Sequence, residues 1–242
     1  MNMAIKAGAV AALGLLGAPA LAAPVIADSV ADFTGVQGLN GWHYGWYNFE
    51  DVGQEAGSVA VDTGAFHQFG YFDSDTGWWA SSAFAAGGYP TGGAEPGSYA
   101  VITASRMHPN APLGSANVVA EEHWAARRWI SNVSGEVTLS GLIAHHHYDG
   151  APIVGNGTEA HILVDGVSVF SYDVDLLDFE GIAYSLDLIV TEGTVIDFVV
   201  GGKGNPLFDA TTFTARVTTP TPASVALLGL GGLVAGRRRR VL

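Results

Sequence analysis

Cysteine is missing from all 242 residues. Disulfide frameworks, zinc–thiolate sites and thiol nucleophiles are therefore excluded. Charge is thin: Asp, Glu, Lys and Arg together form 14% of the chain, against about 25% in an average domain. Cations are the scarcest part, ten against 23 acidic residues. Half of the ten sit at the chain ends, as Lys6 and as Arg237, Arg238, Arg239 and Arg240. The body between keeps Arg106, Arg127, Arg128, Lys203 and Arg216, a formal balance of −18 (five cations against 23 carboxylates). Such a surface repels phosphate backbones, which rules out nucleic acid as a partner. Neutral polymers such as polysaccharides, and divalent cations, suit it better. Also missing between Pro24 and Thr219 is any sustained 3.6-residue apolar period.

Apolar bulk and glycine are plentiful. Hydrophobic residues make up 48% of the chain, which excludes intrinsic disorder. Glycine, at 33 residues, follows no three-residue period. Collagen is thereby excluded, and many tight turns are expected. The length fits one domain of ordinary to large size.

The two ends read as addresses. Residues 1–23 combine Lys6, an apolar run over residues 7–16 and the small-residue stretch Ala18-Pro19-Ala20-Leu21-Ala22-Ala23. That is the pattern of a secretory signal peptide cut after Ala22 or Ala23. Residues 218–242 hold Pro220-Thr221-Pro222, an apolar stretch over residues 223–236 and then four arginines. As a helix the stretch spans about 21 Å, short of a hydrocarbon core of about 30 Å. The arginines would hold its end in the cytoplasm, with the body outside.

This tail resembles the PEP-CTERM sorting signal of exopolysaccharide-making bacteria. The signal joins a Pro-Glu-Pro-like motif, a short Leu/Gly-rich helix and a terminal basic cluster. Here Thr221 stands where the family usually has Glu. The resemblance implies an exosortase-like membrane protease as a partner, read through Pro220, Pro222, Arg237, Arg238, Arg239 and Arg240. It also implies sorting to the cell envelope or exterior. A plain tail anchor is the alternative.

The span 24–217 reads as one all-β domain. Val137, Leu139, Gly141 and Ile143 alternate with outward residues, as do Tyr184, Leu186, Leu188 and Val190, and Ile196, Phe198 and Val200. Asp165-Gly166 is a two-residue hairpin signal between Ile162/Val164 and Val167/Val169. Glu192-Gly193 and Gly201-Gly202 punctuate later strands, and Phe213, Ala215 and Val217 close the domain. The pattern predicts an antiparallel β-sandwich, with residues 87–97 as a long loop over one end.

Several residues invite chemistry. In Trp42-His43-Tyr44-Gly45-Trp46-Tyr47, strand geometry puts Trp42, Tyr44 and Trp46 on one side, where a core is the simpler use. Trp78 and Trp79 are adjacent and so point to opposite faces, which makes one of them a candidate exposed platform for sugar rings. In Arg127-Arg128-Trp129, Arg127 and Trp129 share a face. One arginine is expected to pair with a carboxylate and stack on a tryptophan, with ligand contact through Arg128 as the alternative. Glu121-Glu122 admits a catalytic carboxylate pair, although spacing does not specify one. His145 and His147 share a face, and with His161 they form a candidate metal site.

The run Gln37-Gly38-Leu39-Asn40-Gly41-Trp42-His43-Tyr44-Gly45 looks like the opening of a bacterial exported β-sandwich module. His108-Pro109, Arg127-Arg128-Trp129, the Gly-x-Val-x-Leu-x-Gly strand at residues 135–141 and Asp197-Phe198-Val199-Val200 extend the likeness through most of residues 32–217. Such modules are similar to jelly-roll carbohydrate-binding modules. The resemblance implies a jelly-roll-like sandwich and structural calcium, for which Asp149, Asn156, Asp173, Asp175, Asp178 and Asp209 offer oxygen ligands. Two functions are consistent with all of this. One is a non-catalytic exported surface or matrix protein that binds exopolysaccharide. The other is a polysaccharide hydrolase or lyase.

Overall fold

Period-two apolar runs broken by glycine turns fold into two antiparallel sheets. The structure, a computed structural model, describes residues 22–55, 58–82, 97–110, 120–147, 154–205 and 209–220. Pro24–Pro220 forms one compact unit. The signal peptide (residues 1–21 of it), Pro222 and the four terminal arginines lie outside the described residues, as do Tyr148, Asp149 and residues 87–96. Among the described residues, no helix is long and apolar enough to cross a membrane.

One sheet runs β1 (Val25–Asp28), β17 (Arg216–Thr218), β11 (Gly135–His145), β16 (Thr211–Phe213), β9 (Arg106–His108), β8 (Val101–Ile102), β7 (Gly77–Trp79) and β6 (Tyr71–Asp73). On the other side of β11 lies β14 (Ile182–Val190), paired over nine residues without a register shift. The second sheet runs β3 (Val52–Glu55), β4 (Ser58–Val61), β13 (Val167–Val174), β12 (Thr158–Val164), β15 (Val195–Gly201), β10 (His123–Ile130), β2 (Trp42–Asn48) and β5 (His67–Gln68).

Between the sheets lie the residues that alternation placed there. Trp42, Tyr44, Trp129, Val137, Leu139, Ile143, Ile196, Phe198, Val200, Phe213 and Val217 are buried in one cluster. The Asp165-Gly166 turn joins β12 to β13 as a hairpin, both residues having positive φ (47° and 84°), as the tightest hairpin turns demand. Two details go beyond the sequence pattern. Val167 and Val169 point outward, 55% and 46% exposed, while Phe170 and Tyr172 pack against the core. A register shift between Ile162 and Leu163 accompanies that phase, and Phe170 meets Tyr184 across the sheets. The turn at Glu192-Gly193 does not join neighbouring strands of one sheet. It carries the chain from β14 in one sheet to β15 in the other.

A second, smaller core sits on the outer face of the second sheet. The chain over residues 49–66 leaves the β2 side of that sheet, forms the β3/β4 hairpin at its far edge and returns to β5 beside β2. Val52, Val59, Val61 and Phe66 from this excursion pack on Tyr47, Trp124, Ala126, Leu163 and Val199. Gly201 permits the close packing: a Cβ there would stand 2.5 Å from the Trp124 ring.

The two rims differ. One rim is turned by short segments at residues 74–76, 103–105, 131–134, 165–166 and 191–194. At the other rim the strands enter and leave several longer connections, those between β7 and β8, β9 and β10, β11 and β12, β13 and β14, and β15 and β16. Most buried polar side chains belong to the second rim, among them Ser98, His108, Asn110, His123, His145, Thr158, His161, Asp209 and Thr211.

Candidate functional site

β10 presents Arg127 inward and Arg128 outward, as alternation requires. Arg127 crosses the core, fully buried, and donates to the carbonyls of Phe213 (2.9 Å) and Thr103 (2.6 Å). Burial without a carboxylate lowers its guanidinium to about 10. Arg128 reaches across to β15, where Nε donates to Asp197 Oδ1 at 2.8 Å and Nη2 to Oδ2 at 3.0 Å. The Tyr47 hydroxyl donates to the same Oδ2 at 2.7 Å, and burial raises that phenol far above its ordinary value. Arg128 Nη2 also donates to the Tyr47 hydroxyl at 2.5 Å and to the carbonyl of Thr63 in the returning chain at 3.2 Å, and the guanidinium lies 4.1 Å from the Phe66 ring centroid. The expected carboxylate pairing is present, and the stacking partner is phenylalanine rather than tryptophan. Arg128 is 8% exposed and fastens the outer hairpin.

Trp78 and Trp79 do face opposite ways, but both are buried, at 5% and 7% exposure. Neither is the exposed platform the sequence led us to expect. Trp78 points inward, stacks on Tyr44 (5.7 Å, 15°) and donates its indole N–H to the Thr34 carbonyl at 2.8 Å. Trp79 donates to Thr76 Oγ1 and meets the edge of Tyr99. Both faces of β7 are covered, so pointing outward does not mean exposure.

The exposed aromatics are one strand further out, on the edge strand β6. Tyr71 pairs with Trp79, and Phe72 with Trp78. Their exposures are 45% and 38%. Phe72 is held between Phe33 (6.1 Å) and Trp78 (5.1 Å) and lies on the backbone of Gly35, where a Cβ would come within 2.4 Å of its ring. On the opposite face, Tyr71, Trp79, Val101 and His108 form one cross-strand row, and Tyr99 meets the edges of both Trp79 and His108. The row runs from a solvent-facing tyrosine to His108, whose imidazole burial holds down at about 4 and which donates to the Pro109 carbonyl at 2.7 Å. Sequence alternation missed Tyr71 and Phe72 because the choice between them and the tryptophans depends on which strand is the edge.

The three imidazoles taken as metal ligands do not converge. His145 ends β11 and is buried with its ring 5.5 Å from Phe179, and His147 lies 5.7 Å from the same ring. His161 belongs to the other sheet and faces out, stacked on Trp124 (5.6 Å, 13°), with Nε2 3.2 Å from Glu159 Oε2. Among the described residues, no three His, Asp or Glu side chains are grouped to hold a metal ion. The expected calcium carboxylates instead serve local turns and pairs. Asp178 accepts from the Tyr172 hydroxyl (2.6 Å) and Gly181 N–H (2.9 Å), Asp175 from Leu177 N–H (3.0 Å), and Asp173 pairs with Lys203. Asp149, also named for calcium, lies outside the described residues. Asp209 is fully buried with Oδ1 accepting from Gly157 N–H at 3.3 Å, and burial pushes its carboxyl up to about 7.

Glu122 is the other perturbed carboxylate of the long-connection rim. Burial raises it, against the lowering effect of the Trp124 indole, which donates to Oε1 at 2.9 Å, and of the Gly202 and Gly204 N–H groups; the charge of Glu159 adds to the rise.

No protein-family model matches the chain, and no curated protein matches it. Among solved structures, one match is the C-terminal CBM6 of LamC, a marine laminarinase from Zobellia galactanivorans. The identity is 12%, the alignment covers 47% of this chain and 79% of that chain, and the TM-score is 0.28. At that score the likeness carries no weight for fold or function, so no family is assigned.

Proposed function

We propose that this chain is a non-catalytic exported module that binds polysaccharide, with the edge strand β6 as its contact surface. The observation that carries the reading is the exposed pair Tyr71 and Phe72 on β6, Phe72 lying against the Trp78 ring and Tyr71 standing in register beside Trp79. A braced aromatic ring offers a flat apolar face at little entropic cost, which is what the apolar face of a pyranose ring stacks on. The −18 balance of the body selects among glycans: neutral chains approach freely, and anionic ones are repelled unless cations bridge them. Export rests on the pattern of residues 1–23, and delivery to the envelope or matrix on the Pro-x-Pro, apolar and arginine tail with an exosortase-like protease as its reader.

A glycan array probed with Pro24–Pro220 tests this. Neutral polysaccharides should be retained, and the signal should fall when Tyr71 is replaced by Ala. A body that retains no glycan, or retains anionic glycans equally well in the presence of a chelator, contradicts the reading.

A second reading, hydrolysis or lysis of polysaccharide, draws on Glu122, whose raised carboxyl beside Glu159 has the character of a general acid. It requires turnover of a glycan that is lost in both Glu122→Gln and Glu159→Gln.

A further inference from the structure

We propose that β14 is the pairing edge of a twofold dimer, in which two copies join their first sheets through antiparallel β14 strands. Edges of a sheet carry unpaired backbone donors and acceptors, and monomeric proteins keep them short or guard them with charges (Lys above all), Pro, bulges or a covering segment; the one charge on β14, Asp187, is tied to Thr138. The other edge strands here are short: four residues in β1, three in β6, two in β5 and four in β3. By contrast β14 has nine residues, Ile182-Ala183-Tyr184-Ser185-Leu186-Asp187-Leu188-Ile189-Val190, with no Lys, Arg, Pro or Gly and no register shift. One side pairs with β11, and among the described residues nothing pairs with the other.

The occupant follows from the sequence of the strand, which is complementary to itself about Leu186. In an antiparallel pair centred there, Ile182 faces the partner's Val190, Tyr184 the partner's Leu188 and Leu186 its own copy. On the outer face, Ala183 meets the partner's Ile189 and Ser185 meets the partner's Asp187. Every apolar residue thus meets an apolar one, and each carboxylate meets a hydroxyl. Pairing covers Ile189, which stands 86% exposed in a single copy. Asp187 already accepts from Thr138 Oγ1 through Oδ1 at 2.8 Å, which leaves Oδ2 for the incoming serine. Twofold, self-complementary contacts of this kind are the commonest way for a soluble chain to pair. Since β14 and β6 are opposite edges of one sheet, the dimer leaves both β6 edges free. The two acidic bodies repel at long range, so association should strengthen as salt rises.

Sedimentation equilibrium on Pro24–Pro220 at low and high salt tests the proposal, with two charge variants at the exposed position 185. Wild type should form a dimer that tightens with salt. Ser185→Asp places carboxylates opposite one another at two symmetric pairs and should weaken association about 2- to 30-fold. Ser185→Lys faces Asp187 instead and should restore or tighten it. Circular dichroism of each variant confirms the fold. A body that stays monomeric at about 1 mM (a free energy of about −4 kcal/mol) overturns the proposal, and so does a dimer indifferent to both substitutions. These results leave glycan retention by the β6 edge untouched, so the two proposals fail separately.

Discussion

Arg127 and Arg128 are neighbours in sequence with opposite surroundings. Strand alternation alone separates them, and that much is legible in the chain. The partner of Arg128 is not, because Asp197 lies 69 residues away and is brought alongside by the β10–β15 ladder. Replacing Arg128 by Met would leave Asp197 buried without its cation. We expect a loss of about 3–5 kcal/mol in unfolding free energy, measured by urea denaturation. Asp209 gives a pH signature. Its carboxyl ordinarily titrates near 3.8 and is raised to about 7 in the fold. Between those values the folded chain holds a proton that the unfolded chain has released, so this group's contribution to stability falls as pH rises from about 4 to about 7. Asp209→Asn should remove that slope and leave the variant more stable than wild type at pH 8, as read from thermal melts across the range. A wild-type slope that survives in Asp209→Asn would assign it to other groups.

Strands show which sequence signals are strong and which are not. The β11, β14 and β15 faces were readable because each has an unbroken two-residue apolar period. The facing of β13 was not legible, because its outward valines are more hydrophobic in type than Ser168, while the inward aromatics at 170 and 172 decide the packing. Trp78 and Trp79 were misread for a related reason: alternation gives direction, but what covers each direction belongs to tertiary structure. Gly201 is a direct check on the second core. Gly201→Ala would push a methyl group against the Trp124 ring, 2.5 Å away, and overpacking of this sort costs about 1–3 kcal/mol. A melting temperature lower by about 2–12 °C is expected for a body of this size. An unchanged melting temperature would mean that the hairpin over residues 49–66 packs more loosely than described.

At the scale of the molecule, a long-connection rim, an aromatic edge and an acidic surface combine on one sandwich. The composition foretold the acidity and the recurring two-residue apolar period foretold the all-β architecture, since both signals are summed over many residues. The proposed binding edge was legible only to the extent that aromatics cluster around β6 and β7. The sequence could not rank them, because rank depends on strand order in the sheet. The direct test is calorimetric titration of the best-retained neutral glycan from the array into wild type and Tyr71→Ala, with melting curves for both. A stacked ring contributes roughly 0.5–1.5 kcal/mol beyond its buried area, so affinity should fall at least several-fold while the melting temperature stays within about 2 °C. Equal affinity in the two proteins, or no binding by wild type, would contradict the assignment of β6 as the glycan-binding edge.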